Sequence, residues 1–387
     1  MLKVALVGCG LVADQHLIAI SRVDDCEVVA VCDHERLMAE QLADRFGITH
    51  VYTDVTEMLQ SNPVDVVHIT TPAQTHYALA RQCLDLGCHL YLEKPFTVTA
   101  PEAEDLLATA GAMSRKMTVG HNLQFNPEAL RMRDAVKAGF LGERPFHIEC
   151  NQTYSHADPT YGKTLLGDRQ HWVRRLPGSL LHNLISHGIG KIVEFLVDGD
   201  IQVVAVAYCS EEVKKFAQLD VTDELRVLIR DEANTTAYFT LSTQFPSAGD
   251  VVRVHGPRGT LVCDSGRRTL LHFRKRSFKS YLRFFLPPIL EACQHIENTL
   301  GNATRLLRNE FHEEYGLKVL IERFYRSIRE NSAPPIAPRD ILLTARIMDS
   351  IFSQIRPIAS TERNRGSVLD RPNRTTRDRQ GAFTAQT

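Results

Sequence analysis

The sequence has no Cys-x-x-Cys pair. Its nine cysteines, at 9, 26, 32, 83, 88, 150, 209, 263 and 293, stand singly, which argues against a cysteine-rich zinc site and against a disulfide framework. Reduced, mostly buried thiols are expected. Charge of one sign is not in excess either: 45 Lys and Arg face 46 Asp and Glu, which gives no global reason to expect nucleic acid as a partner. No stretch supplies the ~18 consecutive apolar residues needed to span a bilayer. The opening MLKVALVGCGLVA imitates a secretory leader in its lysine and apolar run. Its glycines interrupt that run, and βαβ-like sequence follows instead of a cleavage site. A soluble cytoplasmic protein is expected, in which the Asn-x-Thr triplets at Asn151, Asn234, Asn302 and Asn373 carry no glycans.

What is there suffices for two cores, because 387 residues with 43% hydrophobic content exceed the ~250–300 residues at which one core stops growing. From Leu2 to about Gly120, the runs LKVALV, EVVAVC, VDVVHIT, HLYLE and MTVG alternate with helix-period stretches such as HERLMAEQLADRF and AQTHYALARQCLDL. That rhythm predicts an α/β domain: a doubly wound parallel sheet of the Rossmann type over 1–122. After Pro127 come a helix (PEALRMRDAVKAG), a strand (PFHIECNQTY), a helix around LLHNLISHGIGKIVEFL, and five runs from IQVVAVAYC to GTLVCD separated by turn residues. They predict an α+β domain over 123–359 with a mainly antiparallel open sheet, the strands forming a meander. Residues 277–329 read as helical with a kink or break at FLPP, and a last helix over about 338–356 is expected to return to the first domain. The polar tail 360–387 is expected to be disordered.

Gly8, Gly10 and Ala13 form G-x-G-x-x-A directly after the first strand, at the mouth of the first helix. Gly8 permits the tight turn, Gly10 leaves room for a pyrophosphate, and Ala13 lets the helix lie close to the sheet. Asp33 ends the second strand twenty residues beyond Ala13, where a carboxylate can accept hydrogen bonds from adenosine ribose hydroxyls and repel a 2′-phosphate. NAD is therefore favoured, with NADP left open because His34 and Arg36 follow closely.

Three further motifs, TTPAQTH at 70–76, LEKPFTVT at 92–99 and GSLLHNLISHG at 178–188, resemble in order and spacing those of the Gfo/Idh/MocA oxidoreductases, over about residues 1 to 355. The resemblance implies NAD(P) chemistry on a sugar or cyclitol hydroxyl and assembly into a homo-oligomer, dimer or tetramer, through the open sheet. It also implies that Thr71, Pro72 and His76 line the nicotinamide ribose pocket, that Glu93, Lys94 and Pro95 form the most specific motif, and that Lys94 hydrogen-bonds the reacting hydroxyl. Read from the residues alone, Lys94 ends a parallel strand, where open α/β sheets bind ligands, and Pro95 holds it in extended backbone. A strand-end salt bridge with Glu93 is the plainer reading.

His187 is the best general base in the chain, since imidazole titrates nearest neutrality. Asn183 lies four residues earlier on the expected helix, where the family pattern usually has an aspartate, and Gly190 stands where another acid often follows. Asn183 can orient a hydroxyl or the imidazole but cannot take a proton. Trp172 resembles the aromatic before the family's glycine-rich turn and could stack on a sugar; Tyr154 and His171 are weaker candidates for the same pocket. Asn122 and Phe125 fall where the family joins its domains. Sixteen histidines and nine cysteines never gather at ligand spacing, so no metal is expected.

Arg267 to Phe285 interleaves basic and aromatic residues, either a solvated edge or a surface for phosphates or anionic membrane. The function expected is hydride transfer between NAD(P) and a sugar-like substrate. NAD-assisted glycoside cleavage and a non-catalytic NAD(H)-binding regulator are the alternatives.

Overall fold

The structure, a computed structural model, describes residues 1–154, 170–215, 221–245, 249–275, 277–279, 281–308, 310–312 and 314–355. The expected tail lies outside them, as does Arg276 of the basic stretch.

Short apolar runs bounded by turn residues become the strands β1 (Leu2–Val7), β2 (Cys26–Cys32), β3 (His50–Tyr52), β4 (Val66–Ile69), β5 (His89–Leu92) and β6 (Met117–Val119). They pair in parallel in the order β3-β2-β1-β4-β5-β6. The strand order reverses between β1 and β4, which opens a crevice beyond the carboxyl ends, where such sheets bind ligands. Helices α1 (Leu11–Ile20), α2 (Arg36–Phe46), α3 (Val55–Ser61), α4 (Ala73–Asp85) and α5 (Ala100–Ala112) connect the strands. β4 and β5 are buried almost throughout, as strands covered on both faces must be. Gly47 closes α2 in the left-handed conformation at φ 68°, as the sequence predicts. Strand β3, three residues long, has no counterpart in the sequence reading; it is too short for a period-2 pattern.

The second sheet, among the described residues, contains β7 (His147–Thr153), β8 (Gln202–Tyr208), β9 (Glu224–Arg230), β10 (Thr236–Ser242), β11 (Val251–Gly256), β12 (Gly259–Asp264) and β13 (Thr269–Arg274), in the order β13-β12-β11-β7-β10-β9-β8. The expected meander is therefore interrupted. β7 inserts between β11 and β10 and runs parallel to β10, with His147 opposite Thr236, while its other neighbour and the remaining pairs are antiparallel. Helices α6 (Pro127–Lys137), α7 (Ser179–Leu184) and α8 (Ser186–Val193) accompany this sheet, with the short α9 (Glu211–Lys215) at its margin. The helix expected around 180–196 is thus two segments meeting at Ile185.

Three helices end the described chain: α10 (Leu282–Leu307), α11 (Tyr315–Arg329) and α12 (Pro338–Gln354). No break occurs at FLPP; Pro287 and Pro288 lie inside the continuous α10. Leu317, Leu320, Ile321, Phe324 and Tyr325 of α11 join the core of the first sheet. α12 straddles both cores: Ile341 packs with the first, and Leu343, Ile347, Met348 and Ile351 with the second. Its Asp349 carboxylate accepts from the Ala100 N–H of α5 at 2.8 Å, and Phe352 fills the space where a Gly178 side chain would stand.

Candidate active site

The turn after β1 is built on one glycine that must be glycine and one whose side chain would only be in the way. Gly8 sits at φ +95°, and a Cβ there would lie 2.7 Å from Thr71 Cγ2 and 2.9 Å from the backbone of Thr70 and Thr71. Gly10, at φ −79° and ψ −169°, has ordinary extended geometry, and a Cβ there would meet nothing within 4 Å. Its absence leaves the approach to the α1 N-terminus open, and no side chain caps that end. The first N–H groups of the helix are free to meet an anion. Ala13 is fully buried beneath them.

Asp33 braces this turn. One carboxylate oxygen accepts from the Cys9 N–H at 2.7 Å and the other from the Glu35 N–H at 2.9 Å. Arg36 points away, its guanidinium on Glu40 at 2.7 Å. A cleft of about 410 Å³ runs from Asp33, His34 and Glu35 past Gly8, Gly10, Thr70, Thr71 and Pro72 to Glu93, Lys94, Asn183, His171 and Trp172. The donor set fits an NAD-type dinucleotide: carboxylates at one end, a glycine turn at the middle, a lysine at the other end.

Lys94 lies at that far end. Its ammonium donates toward the Asn183 carbonyl at 3.2 Å and the Asn183 side-chain oxygen at 3.4 Å. Burial pulls its pKa down, and the neighbouring Glu93 carboxylate pulls the other way. Glu93 does not cap that ammonium with a hydrogen bond; it is held by other groups. One oxygen accepts from the Lys94 backbone N–H at 3.0 Å, and the other faces His16 Nε2 at 3.0 Å. Burial pushes the Glu93 pKa up, but the His16 hydrogen bond and the nearby charges outweigh it and leave it below the ordinary value. A Cβ on Gly120 would strike this carboxylate at 2.5 Å.

Behind Glu93 runs a buried chain that the sequence reading missed. His16 Nδ1 meets His68 Nδ1 at 2.9 Å, and His68 Nε2 meets the Tyr325 hydroxyl at 2.8 Å. Both histidines are fully buried. With Glu93 ionised, one assignment of protons satisfies every contact: Tyr325 O–H donates to His68 Nε2, His68 Nδ1–H to His16 Nδ1, and His16 Nε2–H to Glu93. Burial, and then His16, keeps His68 neutral, as this assignment requires.

Trp172 and His171 line the cleft from the second domain, and Gln74 of α4 donates to the Trp172 carbonyl at 2.9 Å. His187 is not in the lining. Its ring lies 5.9 Å from that of His121, centre to centre, and its Nδ1 is buried without a partner. Burial, followed by Lys94, His121 and Lys191, pushes its pKa well below the ordinary histidine value.

His121 was also missed. A Cβ on Gly190 would lie 2.8 Å from its Nδ1, so its ring occupies the space where the family pattern has an acid three residues after the histidine. The available signal was its position just after β6, at the carboxyl end of the sheet.

Other expected residues lie elsewhere. His76 does not line the cleft; it is fully buried, with Nε2 on the Thr71 carbonyl at 2.8 Å and Nδ1 on the Pro95 carbonyl at 3.0 Å. It is wedged between two strand-end loops; burial favours its neutral form, whose single N–H donates to the carbonyl of one loop while the ring packs against the other. Pro95 takes part through that carbonyl. Asn122 is turned to α11, its carbonyl 2.4 Å from where a Gly316 Cβ would be, and Tyr154 packs on the second core; neither is in the cleft lining.

Residues 2–121 match the family described as Gfo/Idh/MocA: oxidoreductase family, NAD-binding Rossmann fold. The match covers the first sheet with its helices, about a third of the chain. Similarity to individual relatives extends beyond those residues. The 4-carboxy-2-hydroxymuconate-6-semialdehyde dehydrogenase of a Sphingobium species is 26% identical over 275 residues, 68% of this chain and 78% of its own length. The D-apiose dehydrogenase of Paraburkholderia graminis is 27% identical over 277 residues, 70% of each. Among solved structures, the WlbA dehydrogenase of Chromobacterium violaceum, crystallised with NADH and UDP-GlcNAcA, superposes with a TM-score of 0.68 at 17% identity, covering 91% of this chain and 93% of that one. This last likeness concerns the fold alone. The glycine turn and Asp33 lie within the residues that match this NAD-binding Rossmann fold.

Proposed function

We propose that the chain is an NAD-dependent dehydrogenase acting on a secondary hydroxyl of a sugar, cyclitol or nucleotide sugar. The observation that carries the reading is Lys94: a half-buried ammonium at the substrate end of a dinucleotide cleft, with its hydrogen bonds directed at Asn183. NAD+ supplies the hydride acceptor when bound. Lys94 then holds the substrate oxygen and stabilises the negative charge it gains as its proton leaves. Asn183 orients the same hydroxyl, and Trp172 offers a flat apolar face to the sugar ring.

The proton passes to His187 by way of a water, since His187 lies outside the cleft lining. Burial and the positive charge of Lys94 keep its ring neutral and make it a weak base, and its Nδ1 has no competing partner. Glu93, fixed by His16, keeps a negative charge beside Lys94 so that the ammonium stays protonated in its half-buried place. At the adenosine end, the Asp33 and Glu35 carboxylates disfavour a 2′-phosphate while Arg36 is turned to Glu40, so NAD is preferred over NADP. The names of the relatives and the nucleotide sugar in the WlbA structure support the substrate class. The open face of the second sheet exposes Val204, Val206, Leu228 and Tyr238, which supports assembly of like chains through it.

The test is a fluorescence titration with NADH, followed by a panel of free and nucleotide-activated sugars and cyclitols with NAD+, reading nicotinamide absorbance and product together. Saturable binding and reduction of NAD+ by a member of the panel are expected. Product without net NADH would replace the reading by transient oxidation and glycoside cleavage, binding without turnover by a regulatory role, and no binding of either dinucleotide would remove it.

A further inference from the structure

Helix α10 is mounted backwards. Gln294, Asn298 and Asn302 recur every four residues on one face, and that polar face is the one docked on the protein. The Gln294 side chain accepts from the His272 N–H at 2.6 Å and donates to the His272 carbonyl at 3.1 Å. Asn298 does the same with Leu270, at 3.0 Å each way, and Asn302 donates to the Arg267 carbonyl at 3.3 Å. The side-chain amides thus satisfy the free edge of β13, which would otherwise invite another strand. On the opposite face Phe285, Ile289, Ile296, Leu300 and Leu307 follow at spacings of four and seven, each at least 57% exposed. At ~1.5 Å per residue, this is an apolar stripe along a helix of 26 residues that the described protein leaves uncovered. It lies on a different element from the open sheet face of β8 and β9.

Two further features say what covers it. From 274 to 308 the sequence holds seven Arg and Lys against two Glu, in a chain whose net charge is −1. The charges gather at both ends of the helix: Arg274, Lys275, Lys279 and Arg283 near its start, Arg305 and Arg308 at its finish. A second copy of the helix would set like charges against like in either orientation. Beside the start of the helix lies a cavity of about 430 Å³ whose lining combines Arg274 and Arg283 with Phe140, Phe273 and Phe278. Tyr281 and Phe284, at the start of the same helix, are exposed. An outward apolar stripe, basic ends and aromatic residues at one end are what an interfacial helix presents to a lipid surface, and no helix among the described residues is long and apolar enough to span one.

We propose that α10 seats the protein on an anionic phospholipid bilayer, with the Phe285 to Leu307 stripe at the acyl boundary and Arg274 and Arg283 on lipid phosphates. The helix axis lies in the membrane plane, held away from the catalytic cleft by the second sheet. This does not depend on the proposed dehydrogenase activity.

The experiment is sedimentation of the full chain with vesicles of phosphatidylcholine alone and of phosphatidylcholine with about one third phosphatidylglycerol, at low and high salt. Sedimentation with the anionic vesicles, reduced by salt, is expected. Phe285→Ser with Ile289→Ser should abolish it, and Arg274→Glu or Arg283→Glu should each weaken partition by about fivefold or more. All four residues are outside the dinucleotide cleft, so an unchanged melting temperature and NADH titration show that each variant is folded. Absence of anionic-dependent sedimentation, or sedimentation that survives the Phe285/Ile289 variant, overturns the proposal. So does a fall in the solution mass of that variant without any vesicle binding by the parent, which would make the stripe a contact between chains.

Discussion

Gly8→Ala and Gly10→Ala should fail in different ways, and the difference follows from two backbone conformations two residues apart. At Gly8 the new methyl meets the Thr70 and Thr71 backbone at 2.9 Å with φ at +95°. The left-handed conformation costs about 1–2 kcal/mol and the forced shift of a packed loop about 1–3 kcal/mol, so a destabilisation of roughly 2–5 kcal/mol is expected. At Gly10 the backbone is extended and the methyl meets nothing within 4 Å. Stability should change by less than about 1 kcal/mol, the weaker helix cap being offset by a less flexible unfolded chain. That methyl would instead stand where a pyrophosphate approaches the α1 N-terminus. Losing one hydrogen bond to a charged oxygen costs about 1.5–3 kcal/mol, or roughly 10- to 150-fold in NADH affinity. Urea midpoints and NADH titrations of the two variants decide the matter. If Gly10→Ala binds NADH as tightly as the parent, or if it unfolds as readily as Gly8→Ala, the placement of the dinucleotide over this turn is wrong.

Lys94→Met should lower kcat at least a thousandfold while NADH affinity stays within a few fold; an unaltered rate in a sugar oxidation assay refutes its role. Asp33→Ser should bring the kcat/KM values for NAD+ and NADP+ at least tenfold closer together, and an unchanged ratio would show that Asp33 serves only to brace the turn. Tyr325→Phe leaves His68 Nε2 buried without its donor and should cost about 1–3 kcal/mol; a variant as resistant to urea as the parent would refute the proton assignment along His68 and His16. His121 and His182 are buried, and burial above all pushes both pKa values down to about 4. Unfolded, they titrate near 6.5, so as pH falls below that value the unfolded chain takes up protons the native one refuses. Between pH 7 and pH 5 each should remove about 2 kcal/mol of stability, read as a falling urea midpoint; a midpoint that stays level refutes neutral burial.

The parts of this site that could be read from the sequence are those fixed by local chain geometry. Gly8, Gly10, Asp33, Thr71 and Lys94 all follow the carboxyl ends of strands whose apolar runs are legible, and a parallel sheet brings such ends together without further information. Trp172 reached the same cleft by resemblance alone. The His16, His68 and Tyr325 chain could not be read in this way, since 52 and 257 residues separate its successive members and each sits in an ordinary helix or strand. His76 shows the converse: its motif was plain, but only the packing of two loops decides that its ring is wedged beneath the cleft. The insertion of β7 between β11 and β10 was hidden for a similar reason, because alternation marks a strand and says nothing of its neighbours.

Helix α12 bears on how the molecule comes into being. The glycine turn and its aspartate lie roughly three hundred residues before the strut that joins their sheet to the second one, so they leave the ribosome long before it does. Until it docks, Phe352 is missing from beside Gly178 and Asp349 from Ala100, and the Trp172 wall has no fixed distance from the glycine turn. The same late stretch completes the first core, since Leu317 to Tyr325 of α11 and Ile341 of α12 pack into it, so the nucleotide-binding unit and its junction with the second sheet are finished together.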